Sequence, residues 1–251
     1  MNPIAIRLIV FACVFGGALF GMFLRGVLPE HQLSADSKDT VRMGMGLIGT
    51  LTALVLGLLI ASAKNFYDTQ SNELTEMSAK IVLLDRVLAH YGSETKEIRD
   101  LLRGAVARTL DLLWPKEPGQ HPQMEPTAAG AEILYDKIQE LSPKNDTQRS
   151  LQAQALNMGI DLGKMRWMMF EQAGSFISVP LLVVLVFWLA IIFSSFGLFA
   201  PRNATALATL FLCALSVSGA IFLILEMYSP FNGLMQISSA PLRNALVHLG
   251  Q

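Results

Sequence analysis

Long uncharged runs alternate with charged, helically periodic stretches along this chain, and the contrast predicts its architecture. Four runs lack Asp, Glu, Lys and Arg: Leu8 to Leu24 (17 residues), Met43 to Ala63 (21), Ala173 to Pro201 (29) and Asn203 to Leu225 (23). A bilayer core takes about 20 apolar helical residues. Each run therefore predicts a spanning helix, and the chain an all-α polytopic membrane protein with four transmembrane helices. The first run reads as a span and not a cleaved signal, because no small-x-small site follows and Arg25 closes it. Pro180, inside the third run, predicts a kink or a late helix start.

A helical soluble domain, residues 64–172, is inserted between the second and third spans. From Tyr67, apolar residues recur at Leu74, Ile81 and Leu88, with Met77, Leu84 and Tyr91 offset by three, a heptad seam broken once by Gln70. Such a seam needs partners, either in the same chain or in neighbouring copies. Gly92 supplies a stop, and a second helix carries Ile98, Leu101, Leu102, Ala105, Leu110 and Leu113 until Trp114-Pro115 ends it. Pro115 to Pro126 reads as an exposed loop, and Thr127 as the cap of a short helix through Ile133, Leu134, Ile138 and Leu141. The last helix of this block runs through Leu151, Ala155, Met158, Leu162, Met165 and Met169. Its methionines, with Met168, are read as core, and Lys164, Arg166 and Trp167 as interfacial anchors. The predicted division is 1–63 (spans one and two), 64–172 (helical domain), 173–228 (spans three and four) and 229–251 (a turn and an amphipathic helix).

Charge sharpens this division. The block 64–172 holds 13 of the 19 basic and 16 of the 20 acidic residues, so the rest of the chain is lipid-like. A net charge of −1 provides no basic field for nucleic acid. Cys13 and Cys213 lie inside apolar runs, the four histidines lack metal spacing, and no phosphate loop or nucleophile elbow occurs. These features predict no enzyme activity, no cofactor and no metal. Near the membrane, Arg7, Lys64, Lys164, Arg166 and Arg243 on one side face Arg25, Lys38, Arg42 and Arg202 on the other, a five-to-four vote for a cytoplasmic N-terminus, central domain and C-terminus.

The second span carries the candidate functional residues. Gly49, Ala53, Gly57 and Ala61 recur every four positions and predict a close-packing face, used within the chain or between subunits. Leu47, Leu51, Leu54 and Leu58 form a bulkier side suited to a hydrophobic constriction or to lipid contact. Lys64 and Asp68 follow where the span meets water, as a snorkelling flank or a charged ring at a pore mouth. Glu226 closes the fourth span; an acid at that depth is costly unless paired or wet, with Arg7 and Arg243 as candidate partners. After Ser229-Pro230-Phe231-Asn232-Gly233, Ser238 or Ser239 caps a short helix with Pro241 in its first turn.

The passage Leu54 to Tyr91, with Lys64-Asn65-Phe66-Tyr67-Asp68 leading into a helix punctuated by Glu73 and Glu76, resembles the bestrophin-like domain family. So does the tail Leu225-Glu226-Met227-Tyr228-Ser229-Pro230-Phe231-Asn232-Gly233, followed by Ile237-Ser238-Ser239 and Pro241-Leu242-Arg243, in which Pro230, Phe231 and Gly233 carry the motif. The resemblance covers nearly the whole chain. It implies a multi-pass protein of the bacterial inner membrane and, through remote likeness to bestrophins, a homo-oligomeric channel for inorganic ions, anions foremost. Its partners would be the lipid bilayer, its own copies and those ions. The second span here offers Leu, Ile and small residues in place of the aromatic rings of a bestrophin neck, and the acidic cluster of a calcium clasp is missing. A non-conducting membrane-anchored scaffold or sensor is the competing expectation.

Overall fold

The structure is a computed structural model that describes residues 3–29, 34–115, 129–173 and 179–250. Most of the expected proline-rich loop, and the cap expected at Thr127, lie outside those residues. The described chain is helical throughout, without strands. Its α-helices are α1 (Pro3–Val27), α2 (Ala35–Tyr91), α3 (Lys96–Leu113), α4 (Ala129–Gln139), α5 (Asp146–Ala173), α6 (Val179–Phe199), α7 (Ala204–Met227) and α8 (Ala240–His248), with one 3-10 turn at Ser93–Thr95. Helices α1, α2, α6 and α7 are each long and apolar enough to cross a bilayer. Pro180 is the second residue of α6 as described, where the missing N–H costs nothing.

Two compact units form: Met1–Phe66 with Phe176–Tyr228, and Tyr67–Ser175 with Ser229–Gln251. In the first, α1 lies against α6 at backbone distance. A Cβ on Gly17 would stand 2.7 Å from the Ala190 carbonyl oxygen, and those on Gly21 and Gly197 would strike the carbonyls of Ser194 and Ala18. Only glycine permits that approach. Val10, Val14 and Ala18 of α1, Leu185, Leu189 and Phe193 of α6, and Leu210, Ala214 and Ile221 of α7 form the buried core, to which α2 adds Leu59 and Ala63. At one end Arg25 donates to the Ala200 carbonyl, Arg202 Nη2 donates to the Met22 carbonyl at 2.9 Å, and Asn203 Oδ1 caps α7 by accepting from Ala206 N–H.

In the second unit the expected seam is buried: Leu74, Met77, Ile81, Leu84, Leu88 and Tyr91 all point inward. Its partners belong to the same chain, namely Ile98, Leu102, Val106 and Leu113 of α3, Ile138 of α4, Ala155 and Met169 of α5, and Leu242 of α8. Neighbouring copies are not needed to cover it. Gly92 ends α2 at φ 139°, a conformation that L side chains rarely adopt. Thr95 Oγ1 donates to the freed carbonyls of Leu88 and Gly92 at 2.6 and 2.8 Å. Across this turn Arg99 grips Asp85 through two hydrogen bonds of 2.8 and 2.9 Å, with the Asp85 side chain 1% exposed. Arg99 is thereby held in its charged form, chiefly by that bond.

Candidate functional site

The α2 segment of the first unit contacts the rest of that unit along one stripe. Thr52, Leu59 and Ala63 are buried, while Met45, Ile48, Val55 and Leu56 are partly buried against the same core. These positions share one side of the helix at spacings of three and four. Thr52 spends its hydroxyl inside the helix, donating to the Ile48 carbonyl at 2.7 Å.

The predicted residues lie off this stripe. Leu47, Leu51, Leu54 and Leu58 are 66%, 42%, 68% and 61% exposed. Ala53, Gly57 and Ala61 are exposed and Gly49 is half-buried. Cβ atoms built on Gly49 and Gly57 meet nothing within 4 Å. The expected close-packing face is therefore unused inside the chain, because α2 turns its Thr52–Leu59–Ala63 side inward instead. Close packing within the chain falls to Gly17, Gly21 and Gly197, which the sequence reading passed over. The signal was present as Gly17-x-x-x-Gly21 in the first apolar run.

Where the apolar part of α2 ends, Ser62 Oγ and the Tyr228 hydroxyl lie 3.0 Å apart, and the Phe66 and Tyr228 rings stack at 5.2 Å. Lys64 is exposed and Asp68, four residues further along α2, is half-buried; both are engaged in interactions. Glu226 is 3% exposed and also engaged. With Ser218 and Phe222 it forms a buried line at every fourth residue of α7. Of its two candidate partners, Arg7 places its guanidinium over the Phe222 ring at 5.1 Å, one turn before Glu226.

The tail motif works as a clamp in the second unit. The Phe231 ring meets Trp114 edge-on at 5.6 Å, Trp114 Nε1–H donates to the Ile237 carbonyl at 3.0 Å, and Ile237 N–H donates to the Pro230 carbonyl at 2.7 Å. Gly233 adopts φ 88° to let the chain double back. Trp114 thus ends α3 and also holds the tail. In α8, Ser239 is the N-cap and Pro241 sits in the first turn, while Ser238 Oγ accepts from Ala240 N–H.

A polar cluster interrupts the seam at Gln70, which is fully buried. Gln70 Nε2 donates to Gln172 Oε1, and Gln172 Nε2 donates to Glu73 Oε1 at 3.0 Å. Gln70 Oε1 and Glu73 Oε2 are left buried without a hydrogen-bond partner, a cost that the apolar seam would not carry. Among the described residues no group of three His, Cys, Asp or Glu side chains could hold a metal ion.

Searches of curated proteins and of solved structures give no match to this chain. A family model described as the Bestrophin-like domain matches residues 12–242, from the first apolar helix through the clamp and into α8. By that match, which takes in α2 and the Pro230–Gly233 tail together, the chain belongs to the bestrophin-like domain family.

Proposed function

We propose that the chain assembles as a homo-oligomer in the bacterial inner membrane and conducts inorganic ions, with α2 facing the pore axis. The carrying observation is how little of α2 the chain itself uses. Of its most apolar 18-residue window 11% is buried, against 22% for α1 and α6 and 33% for α7. A helix covered along one stripe keeps its other sides for lipid, copies or a pore. The Leu47–Leu58 side then supplies a constriction that closes by dewetting, and Lys64 with Asp68 sets the charge at its end. In this reading four spans put the N-terminus, the 64–172 domain and the tail on one side, and the five-to-four charge vote makes that side the cytoplasmic one. Family membership supports anions as the permeant class. Assembly rests on the span alone, since the heptad seam is spent inside the chain.

Reconstitution tests this reading. Full-length protein in liposomes is expected to pass chloride, and its particles to contain several copies around a central opening. Leu54→Asn is expected to raise flux by wetting the constriction, and Lys64→Glu to lower the preference for anions. A monomeric particle with no flux at any voltage or pH would overturn the proposal. The scaffold reading draws on a different feature, the exposed Ile160, Trp167 and Met168 of α5. It would gain if stable oligomers never conducted and substitution of those three residues removed a bound partner.

A further inference from the structure

A cleft of about 760 Å³ opens in the first unit, between the first half of the apolar part of α2 and helices α6 and α7. Lys38 and Arg42 stand at one end, and Gly46, Gly49, Phe196 and Leu210 line the rest. From Lys38 to Gly49 the cleft follows α2 for roughly 16 Å, at about 1.5 Å per residue. It thus passes from a charged rim into the uncharged run that begins at Met43. None of its described lining residues is acidic.

We propose that this cleft binds an anionic phospholipid, its phosphate between Lys38 and Arg42 and one acyl chain along Gly46 and Gly49. This goes beyond the channel reading and does not depend on it. The charge pattern selects the occupant. A free anion would use only the rim and leave the apolar length without purpose, whereas a zwitterionic lipid would bring a cation to two cations. At the rim the Lys38 ammonium sits 5.9 Å from the centre of the Phe199 ring, and Arg42 pairs with Asp39 at 3.5 Å, both of that pair being largely exposed. Asp39 is then the competing anion, and a phosphate must outbid it for Arg42. The groove is open at both glycines, since Cβ atoms on Gly46 and Gly49 would meet nothing within 4 Å.

The test is native mass spectrometry of the full chain in detergent, titrated in parallel with phosphatidylglycerol and phosphatidylcholine. Retention of phosphatidylglycerol is expected to exceed that of phosphatidylcholine on the order of tenfold, about fivefold for each cation less the competition from Asp39. Lys38→Gln with Arg42→Gln is expected to bring the two lipids level, and Asp39→Asn to raise the anionic one. Gly49→Leu fills the groove with the rim charges intact and is expected to reduce retention as strongly as the double variant. Equal retention of the two lipids by the native chain, or unchanged retention in the variants, would overturn the proposal. So would inorganic phosphate that displaces phosphatidylglycerol at equal concentration, which marks a simple anion site to which the acyl chain adds nothing. Dissociation of the oligomer by Gly49→Leu with lipid retention unchanged would overturn it too, by placing a second copy of the chain in the cleft.

Discussion

Replacing Gly21 by Ala tests the central packing statement about the first unit. The added Cβ would strike the Ser194 carbonyl and also lie 2.8 Å from the Leu198 nitrogen, both backbone atoms that cannot rotate away. Ordinary non-bonded contact begins at about 3.5 Å, and the Ser194 oxygen is the nearer of the two atoms, so α1 and α6 must part by about an ångström or more. A gap of that size forfeits about half of each dispersion contact along the interface. Overpacking typically costs about 1–3 kcal/mol, and a clash with backbone falls at the upper end. Against this stands the helix propensity gained from Gly to Ala, at most about 1 kcal/mol. Gly57→Ala is the matched control, since its Cβ meets nothing in the chain and receives only the gain. The assay is thermal melting of the full chain in detergent, with particle size read on the same samples. For a chain of this length each kcal/mol moves Tm by about 2–4 °C, and the propensity gain is common to both variants, so Gly21→Ala should melt roughly 4–12 °C below Gly57→Ala. A Gly21→Ala protein that melts with or above the native chain would refute the backbone contact. If Gly57→Ala instead lowers Tm while shrinking the particle, its open face is an assembly surface, and the α1–α6 statement is untouched.

Three further predictions concern the second unit. Asp85→Ala takes the carboxylate away from Arg99 in a mostly buried site and should cost about 3–5 kcal/mol, read as a fall in Tm, with the helical circular dichroism signal retained below it. Gln172→Leu leaves both Gln70 and Glu73 without their bridging amide and should cost about 1–3 kcal/mol, while Gln172→Glu restores an acceptor for Gln70 but places a second carboxylate beside Glu73 and should not rescue it. The exposed pair Lys144–Glu94, 2.7 Å apart, holds the Glu94 carboxyl below its ordinary range, mainly through the hydrogen bond from Lys144, and holds Lys144 above its own for the reciprocal reason. A lowered carboxyl pKa gives stability that is present above the unfolded value and fades as pH falls through the folded one. A raised lysine pKa gives stability that fades only as pH rises through its folded value. The difference in Tm between the native chain and Lys144→Met should therefore be small and flat near neutrality, and should shrink below the ordinary carboxylate range; a difference that grows with acid would contradict the assignment.

The helices were legible because each depends on its own residues. An uncharged run long enough for a bilayer, or an apolar seam at heptad spacing, names a helix and its inward face without reference to anything else. Partners were less legible, since periodicity identifies a face and not what covers it. The seam from Leu74 to Leu88 fits a neighbouring copy as well as it fits α3, α5 and α8, and only tertiary structure assigns it to the latter. The small-residue face shows the same limit. Gly49 to Ala61 is the more regular pattern, yet the shorter Gly17–Gly21 pair meets its complement in Ala190, Ser194 and Gly197. Asp85 carried a local signal, a carboxylate beside Leu84 within a buried seam, and its answer lay fourteen residues on at Arg99. The Pro230–Gly233 motif was visible, but its partner Trp114 stands more than a hundred residues earlier and no spacing connects them.

One helix, α2, presents three different surroundings along and around its apolar span. Ala63, on the packed stripe, has no exposed surface; Gly49 opens into the cleft; Leu54 faces outward at 68% exposure. Leu54 lies opposite Ala63 around the helix, and Gly49 lies on Ala63's side but fourteen residues, about 21 Å, away along the axis, so substitutions there should have separable effects. Ala63→Leu overpacks the first unit and should lower Tm by the equivalent of about 1–3 kcal/mol in any detergent. Gly49→Leu should leave Tm in lipid-free detergent near the native value and lose only the stabilisation that phosphatidylglycerol adds. Leu54→Asn should leave both readouts unchanged and alter ion flux alone. Measuring Tm without lipid, the rise in Tm on adding lipid, and flux on all three variants gives nine outcomes, and the separation of roles requires a diagonal pattern in them. If Leu54→Asn lowered Tm as far as Ala63→Leu does, that side of α2 would be packed rather than open, and a pore face there would lose its physical basis.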